Sequence, residues 1–169
     1  QWTVRAGERV ADALRLAEGG DTIVVERGHY AERLVIDKPL RLIGHERPTL
    51  AGGNQGDTIR VTVPDVLVEG FIIRDSGSDL TEQNACIYIE PGAHRVTVRG
   101  NDIVYCLFGL WVEGVREVRV QGNLITGNNG DGIQLTSVSS TNHLVLGNVI
   151  GSTSAFAAGV INGGNGILI

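Results

Sequence analysis

The feature that most constrains the fold is a short motif that returns four times along the chain. Aligned on its glycine, the copies VEGFII, VRGNDI, VQGNLI and VLGNVI fall at steps of 30, 22 and 25 residues. A second set of apolar segments, CIYIE, GLWVE, GIQLT and GILI, returns at steps of 23, 23 and 34 residues. Two strand types that alternate at this period indicate a solenoid whose units are strands. The sequence therefore predicts an all-β parallel β-helix.

The spacing of the second segment also predicts which side chains point into the solenoid. Coils of a β-helix stack about 4.8 Å apart, and alternate residues of a strand face opposite sides. We expect an inward apolar ladder of Ile87 and Ile89, Leu110 and Val112, Ile133 and Leu135, Ile167 and Ile169. We expect the residues between them to face outward, namely Tyr88, Trp111, Gln134 and Leu168.

The beginning of the chain has a different periodicity. Apolar residues recur every three or four positions from Val10 to Glu18, as in an amphipathic helix, with Glu8 favouring its start and Gly19-Gly20 its end. An apolar helix face can cover the open end of a solenoid, whose core and strand edge are otherwise exposed. We interpret residues 1–20 as an N-terminal strand and capping helix.

The rest of the chain, residues 21–169, should form about five coils of the same domain. The chain stops at Ile169 in mid-strand, without a polar capping segment. The sequence predicts an uncapped C-terminal end, through which copies could self-associate. The unfinished C-terminal strand also suggests one functional hypothesis, a truncated or rebuilt scaffold without native activity.

Composition restricts the function classes. The chain has 169 residues and a net charge of −5, and no basic patch is visible, so we do not expect it to bind nucleic acid. No apolar run approaches the ~20 residues that span a bilayer. No basic and apolar leader precedes Gln1, which fits a mature secreted chain or a trimmed one.

The outward residues and the loop before them form the candidate binding surface. Tyr88 and Trp111 should be neighbours on one sheet face, where aromatic rings bind sugars or partner proteins unless a loop covers them. The polar loop RDSGSDLTEQNA places Asp79 and Glu82 beside this face. Clustered carboxylates there could serve acid–base catalysis or calcium binding, although no second acidic column supports them except Asp131.

Asn101, Asn123 and Asn148 follow the repeated glycine in three successive motifs. Asparagine tolerates the left-handed backbone conformation, and stacked asparagines can hydrogen-bond as a ladder. We interpret these three residues as structural and not catalytic.

Metal ligands are not apparent from spacing. The four histidines are scattered, methionine is absent, and the two cysteines, Cys86 and Cys106, fall in neighbouring coils but in different columns. The favoured interpretation is that both cysteines are buried as small apolar residues. A disulfide or a metal site remains open at this point.

Two stretches resemble a known family. GDTIVVERGHYAERLVIDKPLRLIGHERPTL resembles the N-terminal part of right-handed β-helices of the carbohydrate-binding and sugar-hydrolase superfamily. From Val66 to Gly114 the chain is similar to NosD proteins, through Ser76-Gly77, Asp79-Leu80, Phe108-Gly109 and the strands around Tyr88 and Trp111. The likeness covers roughly residues 4 to 127.

The resemblance implies a right-handed, periplasmic or secreted protein. NosD proteins assist maturation of the copper sites of nitrous oxide reductase together with an ABC-type transporter, so copper, that reductase and a transporter are implied as cofactor and partners. Our leading hypothesis is a non-catalytic binding scaffold of this kind, with Asp79, Glu82, Tyr88 and Trp111 on its binding surface. The alternative, suggested by the aromatic pair beside an acidic loop, is a protein that binds or degrades polysaccharide.

Overall fold

A computed structural model describes residues 1–151 and 161–169. These residues form one helix, α1 (Val10–Leu16), and nineteen strands. The strands are β1 (Trp2–Val4), β2 (Thr22–Val25), β3 (His29–Tyr30), β4 (Leu34–Ile36), β5 (Arg41–Gly44), β6 (Thr49–Ala51), β7 (Ile59–Val61), β8 (Leu67–Glu69), β9 (Ile72–Arg74), β10 (Ala85–Ile89), β11 (Thr97–Arg99), β12 (Asp102–Val104), β13 (Phe108–Glu113), β14 (Arg119–Gln121), β15 (Leu124–Thr126), β16 (Ile133–Thr136), β17 (Leu144–Leu146), β18 (Val149–Ile150) and β19 (Ile167–Leu168).

The strands form three parallel sheets that run the length of a solenoid. Sheet A has the order β1-β2-β5-β8-β11-β14-β17, sheet B has β3-β6-β9-β12-β15-β18, and sheet C has β4-β7-β10-β13-β16-β19. Each coil contributes one strand to each sheet, so the fold is the expected parallel β-helix. It has six coils in place of about five. The four copies of the repeated motif fall in the last four coils, so the repeat did not mark the first two coils.

The core is the predicted ladder of apolar residues. In sheet C, Ile87 pairs with Leu110 and Leu110 with Ile133, and all three are fully buried. Burial falls in the last coil, where Ile167 pairs with Ile133 but is 41% exposed. Ile169 lies beyond β19 and is 93% exposed, so its predicted inward position is wrong. The part of the predicted last coil at residues 152–160 lies outside the described residues.

Two glycine columns explain the motifs from which the repeat was recognised. Gly122, between sheets A and B, has φ 61°, a left-handed conformation that costs glycine least. The asparagines that follow such glycines do not adopt positive φ, so the glycine and not the asparagine turns the corner. Gly132 lies directly before β16. It has no room for a side chain, because a Cβ there would lie 2.7 Å from the carbonyl oxygen of Gly166.

The helix α1 covers the N-terminal end, with Val10, Ala13 and Leu14 buried against the first coil. The backbone N–H groups of Val10 and Ala11 donate to the Glu32 carboxylate, at 2.9 and 3.1 Å. Glu8, two residues before α1, accepts a hydrogen bond from the backbone N–H of Arg5 and none from the backbone of the helix.

The helix also ends earlier than expected. It stops at Leu16, before Gly19-Gly20. The Lys38 ammonium donates to the carbonyl oxygens of Leu14, Arg15 and Ala17 at 2.8 to 3.0 Å, which suits the negative end of the helix dipole. Both helix ends are therefore fixed by side chains of the first coil, Glu32 and Lys38, which are distant in sequence.

Candidate functional site: the outer face of sheet C

One outward residue from each coil forms a continuous line along sheet C, here called the outer column. Backbone pairing aligns its members in register, in the order Val35, Arg60, Tyr88, Trp111, Gln134 and Leu168. The neighbours on either side of Arg60, Tyr88 and Trp111 point inward and fill the core. The outer column thus collects side chains that are 23 to 34 residues apart in sequence onto one surface.

Tyr88 is the most enclosed member of the outer column, although it faces away from the solenoid core. Only 6% of its surface is exposed, because Ala85, Leu107 and Phe108 pack around it in a small second apolar cluster. The Arg60 guanidinium lies 4.3 Å from the ring centroid, a cation–π geometry. The expectation of an open aromatic platform at Tyr88 is therefore wrong, since neighbouring side chains cover the ring.

The Tyr88 hydroxyl is also engaged. It donates to the Glu113 carboxylate at 2.7 Å. Burial, followed by this hydrogen bond to the carboxylate, raises the pKa of Tyr88 above its usual value. The phenol is consequently neutral throughout the ordinary pH range and acts as a donor.

Trp111 is the half-buried aromatic of the site. Its ring is stacked on Tyr88, with centroids 6.5 Å apart and planes inclined by 18°, and it meets Phe108 edge-on at 4.8 Å. The indole Nε1 is buried and has no hydrogen-bond partner among the described residues. An indole N–H normally finds an acceptor when buried, so this orphan donor is the least satisfied polar atom on the face.

Charged groups surround the aromatic rings in a connected network. Arg60 lies between two carboxylates: Nε donates to Asp57 at 2.8 Å and Nη1 donates to Glu90 at 2.6 Å. The other Asp57 oxygen accepts from the backbone N–H of Ala85 at 2.9 Å. The Asp57 side chain is only 6% exposed, and burial, which outweighs its hydrogen bonds, raises the pKa of this carboxyl.

This network was missed at the level of sequence. Its members are spread over three coils, namely Asp57, Arg60, Glu90 and Glu113. The 28-residue step from Arg60 to Tyr88 is not marked by the Gly-Asn motif. The available signal was the similarity of IRV in β7 to IYI in β10. Aligning those strands would have placed Arg60 against Tyr88.

The predicted acidic loop lies at the surface, and Asp79 also has a structural role in it. Asp79 and Glu82 are exposed, and an Asp79 oxygen accepts from the backbone N–H groups of Thr81 and Glu82 at 2.8 and 3.2 Å. Asp79 thus holds the turn of its own loop. Among the described residues, no hydrogen bond or ion pair joins either acid to Tyr88 or Trp111.

The three asparagines of the repeat form a hydrogen-bonded ladder inside the corner between sheets A and B. Asn101 Nδ2 donates to Asn123 Oδ1 at 3.2 Å, and Asn123 Nδ2 donates to Asn148 Oδ1 at 2.9 Å. Each amide oxygen also accepts the backbone N–H of the asparagine below. The ladder ends at the backbone N–H of Phe71. With Asn101 and Asn123 buried, these groups have no access to a ligand.

The cysteines form a disulfide between the third and fourth coils, with Cα atoms 5.5 Å apart. The favoured expectation of two free, buried cysteines is therefore wrong. Cys106 belongs to a second polar column, in which its backbone N–H donates to Asn128 Oδ1 at 3.0 Å and Asn128 Nδ2 donates to Asn162 Oδ1 at 3.1 Å. The 22-residue step that aligns Asn101 with Asn123 also aligns Cys106 with Asn128 and could have revealed this column.

The described residues do not fit a resident copper ion. Both cysteine sulfurs are joined to each other, and no three His, Cys, Asp or Glu side chains converge in residues 1–151 and 161–169. Methionine, the remaining soft ligand for Cu(I), is absent from the chain.

A family model for the right-handed β-helix region matches residues 18–169. The chain belongs to the right-handed β-helix family. The match to this β-helix family continues past residue 127 to the end of the chain. No helix among the described residues is both long and apolar enough to cross a membrane.

Within this β-helix family the chain is similar to two proteins named probable ABC transporter binding protein NosD. It is 34% identical to the Pseudomonas aeruginosa protein over 144 residues, which is 81% of this chain and 33% of the relative. It is 34% identical to the Stutzerimonas stutzeri protein over 119 residues, 66% of this chain and 27% of the relative. The chain thus spans about a third or less of the length of these relatives.

Solved structures with the same fold include pectin methylesterases. One, in complex with a hexasaccharide, superposes with a TM-score of 0.58 at 17% identity, covering 95% of this chain and 74% of the other. PemA from Erwinia chrysanthemi gives 0.53 at 16% identity, covering 96% of this chain and 75% of the other. At these identities the likeness concerns the β-helix fold alone.

Proposed function

We propose that this chain is a NosD-like, non-catalytic binding scaffold that engages a partner protein through the outer face of sheet C. The observation that carries the proposal is the 34% identity, over most of this chain, to proteins named as ABC transporter binding. The partners proposed are an ABC-type transporter and, from the resemblance to NosD, the copper enzyme nitrous oxide reductase. Copper would then be handled by the partners and not by the described residues of this chain.

The chemistry of the outer face supports binding over catalysis. A general acid or base needs a carboxyl that can reach a substrate and exchange its proton there. Both oxygens of Asp57 are occupied, by Arg60 and by the Ala85 backbone, and Glu90 and Glu113 each hold one partner at 2.6 to 2.7 Å. A half-buried tryptophan inside a ring of satisfied charges is instead the composition of an interface anchor.

A periplasmic or secreted location is part of this proposal. The support is the Cys86–Cys106 disulfide, because structural disulfides persist in oxidising compartments and are rare in the cytosol. Fractionation of the source cell tests it: the chain should appear with periplasmic or secreted proteins, with both thiols unreactive towards maleimide before reduction.

Capture by immobilised chain, with purified ABC transporter in detergent and with purified nitrous oxide reductase, tests the binding function. Trp111→Ala should lower capture by at least about tenfold, as removal of an interface anchor does. Leu146→Ala is the matched control, since Leu146 is a large apolar residue on sheet A that is 60% exposed. Absence of capture, or an equal loss in both variants, would overturn the proposal.

A second candidate function is polysaccharide binding, favoured by one observation. The stacked Tyr88 and Trp111 rings beside Arg60 supply an apolar edge and a cation within one surface, which suits an acidic sugar. Calorimetric titration with oligogalacturonides decides between the two: saturable binding abolished by Trp111→Ala, without protein capture, would favour the sugar. The same titration should include Asp79→Ala. Loss of oligogalacturonide binding in this variant would place the acidic loop in the sugar-binding site.

A further inference from the structure

A groove between α1 and the first coil is rich in cations. Another cation-rich concavity lies on sheet A, but there Arg95 and Arg99 are paired with Asp65 and Glu69. The groove beside α1 encloses about 470 Å³. Its floor is aliphatic, formed by Ala11, Leu14 and Leu34, and its rim carries Arg15, Arg33 and Lys38. Three cations against one lining carboxylate, Asp37, stand out in a chain with a net charge of −5.

The two arginines on the rim are not used by the fold. Lys38 holds the C-terminal carbonyl groups of α1, so its charge has a structural role. Neither the Arg15 nor the Arg33 guanidinium has an ion pair or hydrogen bond within the described part of the chain, and both side chains are exposed. By contrast, Arg60 and Arg95 are paired with carboxylates. Unpaired guanidinium groups beside a concave surface are available to a ligand's anions.

Arg33 lines two neighbouring pockets. A Cβ at position 56 would lie 2.5 Å from Arg33 Nη1, so the absence of a side chain at Gly56 makes room for the guanidinium. A second pocket of about 190 Å³ continues from Arg33 over Val35 to Asp57 and Arg60. Val35, the first member of the outer column, is 54% exposed between them.

We propose that this groove docks an extended acidic segment of a partner protein. Carboxylates of the segment pair with Arg15 and Arg33, and an apolar side chain between them covers Val35. Guanidinium and carboxylate groups match in bidentate geometry, and the charge of the groove complements that of the segment. The floor is aliphatic, whereas a sugar polymer is normally held on aromatic faces, so the groove favours a peptide over an acidic polysaccharide.

The groove adjoins the outer column at Val35 but is not lined by Tyr88 or Trp111, and the inference stands without the function proposed above. Binding of the acidic segment in the groove should be unchanged by Trp111→Ala, because this substitution removes only the proposed anchor for the transporter or reductase. Failure of transporter capture and failure of acidic-peptide binding are therefore separate results.

Fluorescence anisotropy with a labelled acetyl-Glu-Val-Glu-Val-Glu peptide at low salt tests this proposal. Arg15→Gln and Arg33→Gln should each weaken binding about tenfold, the loss expected for one charge-assisted contact. Arg41→Gln is the matched control, because Arg41 is an exposed arginine on sheet A, outside the groove. It should change the dissociation constant by less than about twofold. Val35→Glu places a like charge in the groove and should abolish binding.

Several outcomes would overturn the proposal. These are the lack of saturable binding, equal binding of the Gln-Val-Gln-Val-Gln peptide, or an equal loss in Arg41→Gln, which would indicate non-specific attraction. Saturable binding of tetragalacturonate with the same arginine dependence, without binding of the peptide, would replace the protein segment by an acidic sugar. If Arg33→Gln lowers the unfolding midpoint, Arg15→Gln and Val35→Glu, both at exposed side chains, still decide the matter.

Discussion

Arginine–carboxylate pairs occur on two outer faces of this β-helix, and water reaches them differently. On sheet C the Asp57 side chain is 6% exposed beside Arg60, whereas Asp65, just before β8 of sheet A, is 53% exposed beside Arg95. Burial raises the pKa of Asp57, while the hydrogen bond from Arg95 lowers the pKa of Asp65. The same kind of ion pair is therefore a surface contact on sheet A and part of an enclosed site on sheet C.

The difference shows that pairing alone does not mark a functional surface. Asp65 and Arg95 form a bidentate pair at 2.7 and 2.8 Å, which is good geometry, but exposed pairs contribute little free energy. On sheet C the Arg60 guanidinium lies over the Tyr88 ring and pairs with the nearly buried Asp57, while about a third of the Arg60 side chain stays exposed. Desolvated charges next to a large aromatic residue are more typical of recognition sites. Four variants or conditions would break or sharpen this comparison.

The largest effect should come from removing the covalent link beside sheet C. The Cys86→Ala/Cys106→Ala double variant releases a bond that closes a 20-residue separation, and it should lose about 3 kcal/mol of unfolding free energy. Urea denaturation with and without reductant measures this. The reduced wild type should match the double variant. No loss in either would mean that the third and fourth coils are held by packing alone.

Removal of the buried carboxylate should be next. Asp57→Ala leaves the Ala85 N–H and one edge of Arg60 without a partner, and we expect a loss of about 2 kcal/mol of unfolding free energy. Asp65→Ala is the control on sheet A, and its denaturation midpoint should stay close to that of the wild type. Equal losses would show that the two faces do not differ as described.

Tyr88→Phe tests the enclosed hydroxyl with little change in volume. It leaves the Glu113 carboxylate without its 2.7 Å donor, and we expect about 1 kcal/mol of destabilisation. Thermal unfolding measures the change. Stability equal to that of the wild type would indicate that water replaces the hydroxyl and that the Tyr88 surface is open.

The pH dependence of stability should have opposite signs on the two faces. The pKa of Asp57 is raised above 3.8, so the folded state takes up its proton first, and stability from this group rises as pH falls from the raised pKa towards 3.8. The pKa of Asp65 is lowered below 3.8, so its stabilisation is present above 3.8 and is lost as pH falls through the lowered pKa.

Unfolding free energies of the wild type, Asp57→Asn and Asp65→Asn between pH 2 and pH 7, a range around the ordinary aspartate pKa, isolate the two contributions. The difference between wild type and Asp57→Asn should grow in favour of the wild type on acidification. The difference for Asp65→Asn should shrink. The same sign for both would contradict the contrast in burial.

The sequence predicts the fold well because its signal is periodic. The pair Gly122-Asn123 has equivalents at the corner between sheets A and B in each of the last three coils. The inward ladder through Ile87 and Leu110 follows from that register. The face of Tyr88 and Trp111 follows from the same register, since adjacent coils place equivalent residues side by side. What repeats along the chain was therefore predictable.

The contents of the site were less predictable because they depend on packing between side chains. Alignment of β7 with β10 places Arg60 beside Tyr88, but nothing in the sequence shows that Arg60 and Phe108 close over the Tyr88 ring. Asp79 was assigned to the site because it is near in sequence, but its carboxylate is used within its own turn. The disulfide needed coordinates, because Cys86 and Cys106 are in different columns of the repeat.

Photo-crosslinking at paired positions tests the central claim most directly. A benzoylphenylalanine is introduced at Gln134, the half-buried neighbour of Trp111 in the outer column, or at Thr97, a half-buried residue on the outer face of sheet A. With purified transporter or nitrous oxide reductase, we predict a crosslink from position 134 and none from position 97. Equal crosslinking from both positions, or crosslinking from position 97 alone, would contradict the assignment of the outer face of sheet C as the recognition surface.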